Sequence, residues 1–171
     1  MPKLILLIGL PGSGKSSLTG SMQRSCSNLI VISTDAIRAK LFGNEAVQGE
    51  WLLIWREVGQ QFQQAAQRIQ QGGGKTAIYD ATNAKRSHRK EVIALARSIG
   101  FTHITFLWLD VPLSLCLQRN QQRDRQVPEE VIHRMYRQLS DAPPSLREGI
   151  ECLIQYRKPE MAGKPDDCTE E

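Results

Sequence analysis

Near the amino terminus, a glycine-rich segment ends in a lysine and a serine whose side chains could contact a phosphate group and a metal ion. Gly9–Ser16 fits the pattern G-x-x-x-x-G-K-[ST], with a short apolar run before it and a helix-forming stretch after it. Backbone N–H groups of such a loop turn toward phosphates, and the helix N-terminus adds partial positive charge. Lys15 is then expected at the β- and γ-phosphates and the Ser16 hydroxyl on Mg²⁺. The segment predicts a nucleoside triphosphate site, with a ligand-free glycine turn as the alternative.

A carboxylate that could accept a proton follows the second apolar run of the chain. Asp35 lies just after Leu29–Ser33, and Arg38 comes one helical turn later. Ligands of open α/β sheets gather at the carboxyl ends of the strands, so Asp35 is expected to face the same cleft as Lys15. There it could act as a general base toward an attacking hydroxyl, while Arg38 holds an anionic acceptor. A simple helix N-cap is the alternative role for Asp35.

A second carboxylate, Asp80, ends the third apolar run. Enzymes with a phosphate-binding loop place a Mg²⁺-site carboxylate at this position, acting through a water or through Ser16. Thr82 and Asn83 follow and offer hydrogen-bonding groups to a substrate at the cleft edge. Asp110 also follows an apolar run, but a proline two residues later favours a helix cap over a catalytic role.

Three arginines lie in a polar stretch before Pro128. Arg119 and Arg123 are four residues apart and are predicted to share a helix face, whereas Arg125 falls in the break that follows. A mobile arginine-bearing segment can close over a triphosphate and neutralise the charge that develops during phosphoryl transfer. An exposed run of charges is the alternative.

Other basic and aromatic side chains have two possible roles. The basic cluster between residues 85 and 90 could contact a nucleic-acid backbone or could form a solvated helix face: Lys85, Arg86, Arg89 and Lys90. Each tryptophan could stack on a base. Trp55 and Trp108 are expected in the core because of their positions on an apolar stripe and in a strand. For Trp51 both roles stay open.

The elements that must position these residues alternate between strands and helices. Such alternation predicts a parallel sheet covered by helices. A long helix is expected over residues 49–71, because apolar side chains from Trp51 to Ile69 recur at spacings of three and four. Pro128 begins another helix, for which Val131, Met135 and Leu139 are the predicted buried positions. The predicted strands are Leu4–Ile8, Leu29–Ser33, Thr76–Asp80, Ile104–Leu109 and Glu151–Ile154.

Composition limits the class of protein. The chain has 171 residues, a net charge of +4 and a sequence pI near 9.0, which suits one domain with a phosphate-bearing substrate. We predict a single domain over residues 1–156 and a frayed tail over 157–171. No apolar stretch of the sequence predicts a leader or a membrane span. Four cysteines without metal-ligand spacing indicate a reduced, cytoplasmic protein: Cys26, Cys116, Cys152 and Cys168.

Taken together, these motifs resemble the P-loop kinases, and most closely the 5′-hydroxyl polynucleotide kinases. The resemblance covers roughly residues 1–140, and its more specific part combines D-x-x-R at Asp35 with R-N-x-x-R at Arg119. It implies Asp35 as the general base, Arg38 on the terminal phosphate of the acceptor, Arg123 as a lid arginine on ATP, and Arg119 on the nucleotide side. The remaining nucleotide-binding residues are Gly9, Leu10, Pro11, Gly12, Ser13, Gly14, Lys15, Ser16 and Ser17.

The fold expected from the resemblance is a three-layer α/β/α P-loop kinase domain with a five-stranded parallel sheet in the order 2-3-1-4-5. The expected reaction transfers the γ-phosphoryl group of ATP, with Mg²⁺, to a hydroxyl of an acceptor, foremost a polynucleotide 5′-OH. A small-molecule kinase on the same fold is the first alternative. A non-enzymatic nucleotide-binding module is the second, although such a module has no need of Asp35.

Overall fold

The structure is a computed structural model that describes residues 1–45, 47 and 49–157. Its five strands form one parallel sheet in the order β2-β3-β1-β4-β5, which confirms the predicted topology. The strands are β1 (Lys3–Ile8), β2 (Leu29–Ser33), β3 (Thr76–Asp80), β4 (His103–Asp110) and β5 (Cys152–Arg157). The helices are α1 (Lys15–Ser25), α2 (Thr34–Phe42), α3 (Trp51–Gln70), α4 (Arg86–Ile99), α5 (Leu113–Gln121) and α6 (Glu129–Asp141), with a short 3₁₀ turn at Leu146–Glu148.

The core forms around the central strand. Leu6, Leu7 and Ile8 of β1 are fully buried because β3 and β4 flank this strand and helices cover the sheet. The stripe of α3 is buried from Ile54 to Ile69, as its spacing predicts, but the amino-terminal end of the stripe is not. There Trp51 stays 42% exposed.

The strand register brings the polar strand ends together. Ser33, the last residue of β2, pairs with Asp80, the last residue of β3. One residue into the phosphate loop, the Gly9 backbone N–H donates to the Thr82 carbonyl oxygen over 3.1 Å. The loops after β1, β2 and β3 therefore open at one edge of the sheet, where the sequence predicts the site.

Helix α6 and strand β5 differ from their predicted forms. Ile132 and Leu139 are the buried residues of α6, whereas Val131 and Met135 are half-buried and line the cleft at the sheet edge. Strand β5 extends to Arg157, so the predicted tail does not begin there. The rest of that tail lies outside the described residues.

Arg89 lies neither on a solvated face nor at a surface that a nucleic-acid backbone could contact, so both roles predicted for it are wrong. Its side chain is fully buried and forms an ion pair with Glu148 over 2.8 Å. It also donates to the carbonyl oxygens of Ala84 and Ala142, each over 2.8 Å. Four hydrogen-bonding partners compensate the cost of burying this charge, so Arg89 joins α4 to the segments after β3 and α6. Lys85, by contrast, is exposed as predicted.

Asp110 has a structural role, although not the predicted one. Pro112 occupies the N-cap position of α5, and no side chain caps this helix. The Asp110 carboxylate instead accepts hydrogen bonds from Gln155 over 2.8 Å and from Arg157 over 3.0 Å. It therefore joins the end of β4 to the edge strand β5.

Across the described part of the chain, no helix combines the length and apolar character needed to cross a membrane.

Candidate active site

The loop between β1 and α1 has a backbone that only glycine suits at two positions. Gly12 has φ +82°, and a Cβ there would lie 2.5 Å from the Cys116 carbonyl oxygen. Gly14 has φ +101° and precedes α1, whose N-terminus has neither a capping side chain nor an acidic residue in its first turn. The free N–H groups and positive end of α1 therefore remain available to an anion, which fits a triphosphate.

Lys15 folds back over this loop. Its Nζ donates to the carbonyl oxygens of Gly9 and Leu10, each over 2.9 Å. Burial of the amine lowers the pKa of Lys15 from 10.5 to about 8, although the Asp80 carboxylate opposes that shift. The two carbonyl oxygens thus hold the Lys15 amine at the loop, where the oxygens of a bound phosphate could take their place as its hydrogen-bond acceptors.

Binding of ATP should take up protons in mildly alkaline solution. Because the pKa of Lys15 is about 8 in the free protein, part of the amine is neutral there, and a triphosphate raises the pKa by adding negative charge. ATP affinity should therefore fall as the pH rises through that value. Titration calorimetry at about pH 8.5 in two buffers with different ionisation enthalpies should give different heats. Equal heats would mean that Lys15 does not titrate on binding.

Asp80 faces the loop from β3. Burial raises the pKa of its carboxyl, whereas Lys15 and a hydrogen bond from the Thr19 hydroxyl, over 3.4 Å, act in the opposite direction. Ser16 is exposed at the start of α1 and lines the same cleft. Mg²⁺ binds one or two protein oxygens, phosphates and waters, so Ser16 and Asp80 fit as its protein contacts. Bound there with ATP, the ion would supply charge neutralisation between the phosphates.

Asp35 lies opposite the loop with half of its side chain exposed. Its carboxylate accepts a hydrogen bond from Arg38 over 3.0 Å and lies 4.0 Å from the guanidinium of Arg125. Ser33 is the N-cap of α2 and accepts from the Ala36 N–H, so the alternative role of Asp35 as the cap is wrong. Half of this side chain remains open to the cleft.

Arg38 is largely buried beside that carboxylate, and its Nε has no hydrogen-bond partner among the described residues. The Arg38 side chain lines the cleft, where its guanidinium suits an anionic acceptor group. Thr82 and Asn83 line the cleft nearby, but the Asn83 amide donates to the Leu7 carbonyl oxygen over 2.7 Å. Thr34, which the sequence analysis did not single out, also lines this edge, and its hydroxyl lies 3.5 Å from the Asp80 carbonyl oxygen.

The arginine segment is a loop with a fixed base. Helix α5 ends at Gln121, so Arg123 lies beyond it and does not share a helix face with Arg119. Buried Asn120 closes the base of the loop by exchanging two hydrogen bonds with the Val127 backbone, at 2.8 and 2.9 Å. We call residues 121–126 the lid loop. Apart from the asparagine between the two arginines, the local sequence does not indicate that Asn120 and Val127 close this loop.

Each arginine reaches a different part of the cleft. Arg119 donates to the Gly12 carbonyl oxygen of the phosphate loop over 3.3 Å. Arg123 is exposed and lines the cleft, and Arg125 forms an ion pair with Glu45 over 3.2 Å. The three arginines therefore extend from the phosphate loop, which Arg119 contacts, to the part of the cleft where Arg125 lies near Asp35.

Replacing Arg123 with lysine should slow phosphoryl transfer more than it weakens ATP binding. Lysine keeps the charge but loses the planar fork that contacts two phosphate oxygens. Loss of an arginine at the transferring phosphoryl group costs up to about 10³–10⁵-fold in other enzymes of this chemistry, so Arg123→Ala sets the upper limit. Nucleotide affinity and single-turnover rate should be measured for both variants, with Arg137→Lys as the control on exposed α6 surface. Wild-type rates in both would make Arg123 a surface charge.

An aromatic cluster forms the wall beside Asp35. Trp51, Trp55 and His88 have ring centroids 5.1 to 5.9 Å apart, and we call them the aromatic wall. Trp51 and His88 line the cleft, whereas Trp55 is half-buried and packs against the core. Burial lowers the pKa of His88, so its ring is mainly uncharged at neutral pH.

The cleft that these groups share is open, with a volume of about 1180 Å³. Asp35, Asp80 and Glu91 are its acidic lining residues. Seven cationic side chains outnumber these three: Lys15, Arg38, Lys85, Arg119, Arg123, Arg125 and Arg134. The cleft therefore attracts anions along its whole length.

A parallel sheet in the order 2-3-1-4-5 with this phosphate loop between β1 and α1 is the fold of the P-loop kinases. The AAA_33 family model, described as an AAA domain, matches residues 4–142. The chain belongs to this family.

Known proteins similar to the chain differ in what their names say they act on. L-seryl-tRNA(Sec) kinase of Methanococcus maripaludis is 29% identical over 141 residues, which is 78% of this chain and 51% of that protein. A chain of the Pnkp1/Rnl/Hen1 RNA repair complex aligns with a TM-score of 0.65 at 20% identity, over 82% of this chain and 44% of that one. A gluconokinase from Sinorhizobium meliloti 1021 aligns with a TM-score of 0.57 at 19% identity, over 91% and 82%. The chain thus spans about half the length of the L-seryl-tRNA(Sec) kinase that it matches. At 20% and 19% identity, the two solved structures show only that the fold is similar.

Proposed function

We propose that this protein transfers the γ-phosphoryl group of ATP, with Mg²⁺, to a hydroxyl at the end of a nucleic acid, foremost the 5′-OH of a polynucleotide. The observation that carries the proposal is the position of Asp35. Its half-exposed carboxylate lines the same cleft as the phosphate loop and accepts a hydrogen bond from Arg38 over 3.0 Å. A protein that only bound ATP would have no use for a proton acceptor at this place.

In the proposed reaction the Asp35 carboxylate takes the proton of the acceptor hydroxyl as its oxygen bonds to the γ-phosphorus. The bond from that phosphorus to the bridging oxygen breaks, and ADP leaves. Lys15 and Arg123 lie where they could offset the charge on the transferring group. Arg38, with its unpaired Nε, binds an anionic part of the acceptor.

A nucleic-acid acceptor is favoured by charge and openness. The cleft lining has seven cationic and three acidic side chains. Mg²⁺-bound ATP offsets only part of this excess of positive charge, so an anionic acceptor is favoured. The cleft is open to solvent and so has room for the end of a polynucleotide chain.

The seryl hydroxyl of an aminoacylated tRNA is the second candidate acceptor. The similarity to an archaeal L-seryl-tRNA(Sec) kinase over 78% of this chain favours it. Such an acceptor also ends in nucleotides and would use the same cationic cleft. The two candidates differ in which atom receives the phosphate, not in the roles of Asp35 and Lys15.

The proposal is tested by transfer of labelled γ-phosphate to a panel of acceptors. The panel should contain 5′-OH DNA and RNA oligonucleotides, seryl-tRNA, gluconate and other sugars, each with and without Mg²⁺. Label on an oligonucleotide 5′ end supports the first candidate, and label on the seryl group supports the second. Transfer to a sugar alone, or to no acceptor, contradicts the proposal.

A further inference from the structure

The aromatic wall contributes Trp51 and His88 to the lining of the cleft, yet no step of the proposed transfer uses it. Its exposed member is Trp51, the first residue of α3, which stays 42% exposed. Trp55 stacks on it at 5.9 Å with the ring planes 23° apart, and His88 meets it edge-on at 5.1 Å. Two rings therefore fix the orientation of an indole that still presents much of its surface to the cleft.

Packing alone does not account for this arrangement. Trp55 packs against the core and stacks on Trp51, while the open indole surface remains in contact with water. Leu52 is also exposed, at 69%, but it follows Trp51 on the helix and does not belong to the aromatic wall. An exposed indole that lines the same cleft as Asp35 is suited to hold a planar ring.

We propose that Trp51, held by Trp55 and His88, is the platform on which the nucleobase of the acceptor's terminal nucleotide stacks. This assignment rests on the proposed function, because it gives the acceptor of that reaction a base. Stacking of one base on an aromatic side chain contributes roughly 5- to 150-fold in affinity and tolerates different bases. Trp51 thus gives the site a preference for nucleotides without a preference for sequence.

Charges next to the aromatic wall distinguish a nucleotide from a neutral sugar, which can also pack on an indole. Arg38 with its unpaired Nε and exposed Lys85 line the same cleft as Trp51. A terminal nucleotide brings both a planar ring for the indole and a phosphate for the cations. A neutral sugar would leave the cations without a partner.

The test compares two 5′-OH oligonucleotides that differ only in whether the terminal nucleotide carries a base. Their affinities should be measured by fluorescence anisotropy in the presence of a non-hydrolysable ATP analogue, for wild type, Trp51→Ala, Trp51→Phe and Leu52→Ala. Acceptor KM and ATP KM should be measured for the same four proteins. Leu52→Ala removes an exposed apolar side chain from the same helix and is the matched control.

We expect Trp51→Ala to weaken binding of the base-bearing oligonucleotide and raise its KM by roughly 5- to 150-fold, with the ATP KM unchanged. Trp51→Phe should recover most of the affinity, and the abasic oligonucleotide should bind wild type and Trp51→Ala equally weakly. If the base-bearing oligonucleotide is bound and phosphorylated equally by wild type and Trp51→Ala, the platform is wrong and the proposed function stands. If wild type phosphorylates a metabolite and binds neither oligonucleotide, the proposed function fails, and the platform with it.

Discussion

Replacing Asp35 with asparagine should lower the single-turnover rate of phosphoryl transfer by about 10²–10⁴-fold and leave ATP affinity near that of wild type. Asparagine matches aspartate in size but cannot accept the proton of the acceptor hydroxyl. Folding should be little affected, since Ser33 and not Asp35 caps α2 and the Asp35 side chain is half exposed. Rapid-quench measurement with saturating ATP and acceptor reports the rate directly.

The matched control for this variant is Asp141→Asn, which removes an exposed carboxylate at the end of α6. It should transfer phosphate at the wild-type rate. A wild-type rate in Asp35→Asn as well would show that Asp35 only pairs with Arg38 and Arg125, and the base would have to be sought elsewhere in the cleft.

Much of the fold and the centre of the site could be predicted because both depend on local sequence. Apolar runs of five or six residues predict the first four strands, and the glycine pattern of Gly9–Ser16 predicts the turn between β1 and α1. Given a parallel sheet, the rule that ligands gather at strand carboxyl ends then places Asp35 and Asp80 near Lys15. The pairing of Ser33 with Asp80 at the ends of β2 and β3 brings the two carboxylates to the same edge of the sheet.

Two of the incorrect predictions share a cause, which is a partner distant in sequence. The sequence predicts a surface position for Arg89 because the carboxylate that makes its burial possible, Glu148, lies 59 residues further on. Asp110 looked like a helix cap because its actual partners come from β5, 45 and 47 residues later. Periodicity within one helix carries no information about either contact.

The lid loop shows a different limit. A spacing of four between Arg119 and Arg123 predicts a shared face only if the helix continues, and α5 ends at Gln121. The Asn120 side chain bonds to the Val127 backbone and so favours a closed loop over another helical turn. Because the helix ends before Arg123, this side chain lies in the loop and lines the cleft.

Lys15→Ala should reduce transfer by on the order of 10³-fold or more and, unlike Asp35→Asn, should also weaken ATP binding. Lys15 is the cation of the phosphate loop itself, whereas the arginines of the lid loop reach the site from a separate segment. In the free protein its amine is held by the carbonyl oxygens of Gly9 and Leu10, so it is positioned before the nucleotide arrives.

This preorganisation distinguishes Lys15 from a charge that only attracts ATP. Lys15→Arg keeps the positive charge but cannot fit a larger planar group between the two carbonyl oxygens, so it too should be severely impaired. Lys75→Ala, which removes an exposed lysine outside the cleft lining, should behave as wild type. Circular dichroism and thermal unfolding should establish that each variant is folded before its rate is compared. If folded Lys15→Ala retained the wild-type single-turnover rate, the loop would bind phosphate without taking part in transfer, and the proposed reaction would lose its centre.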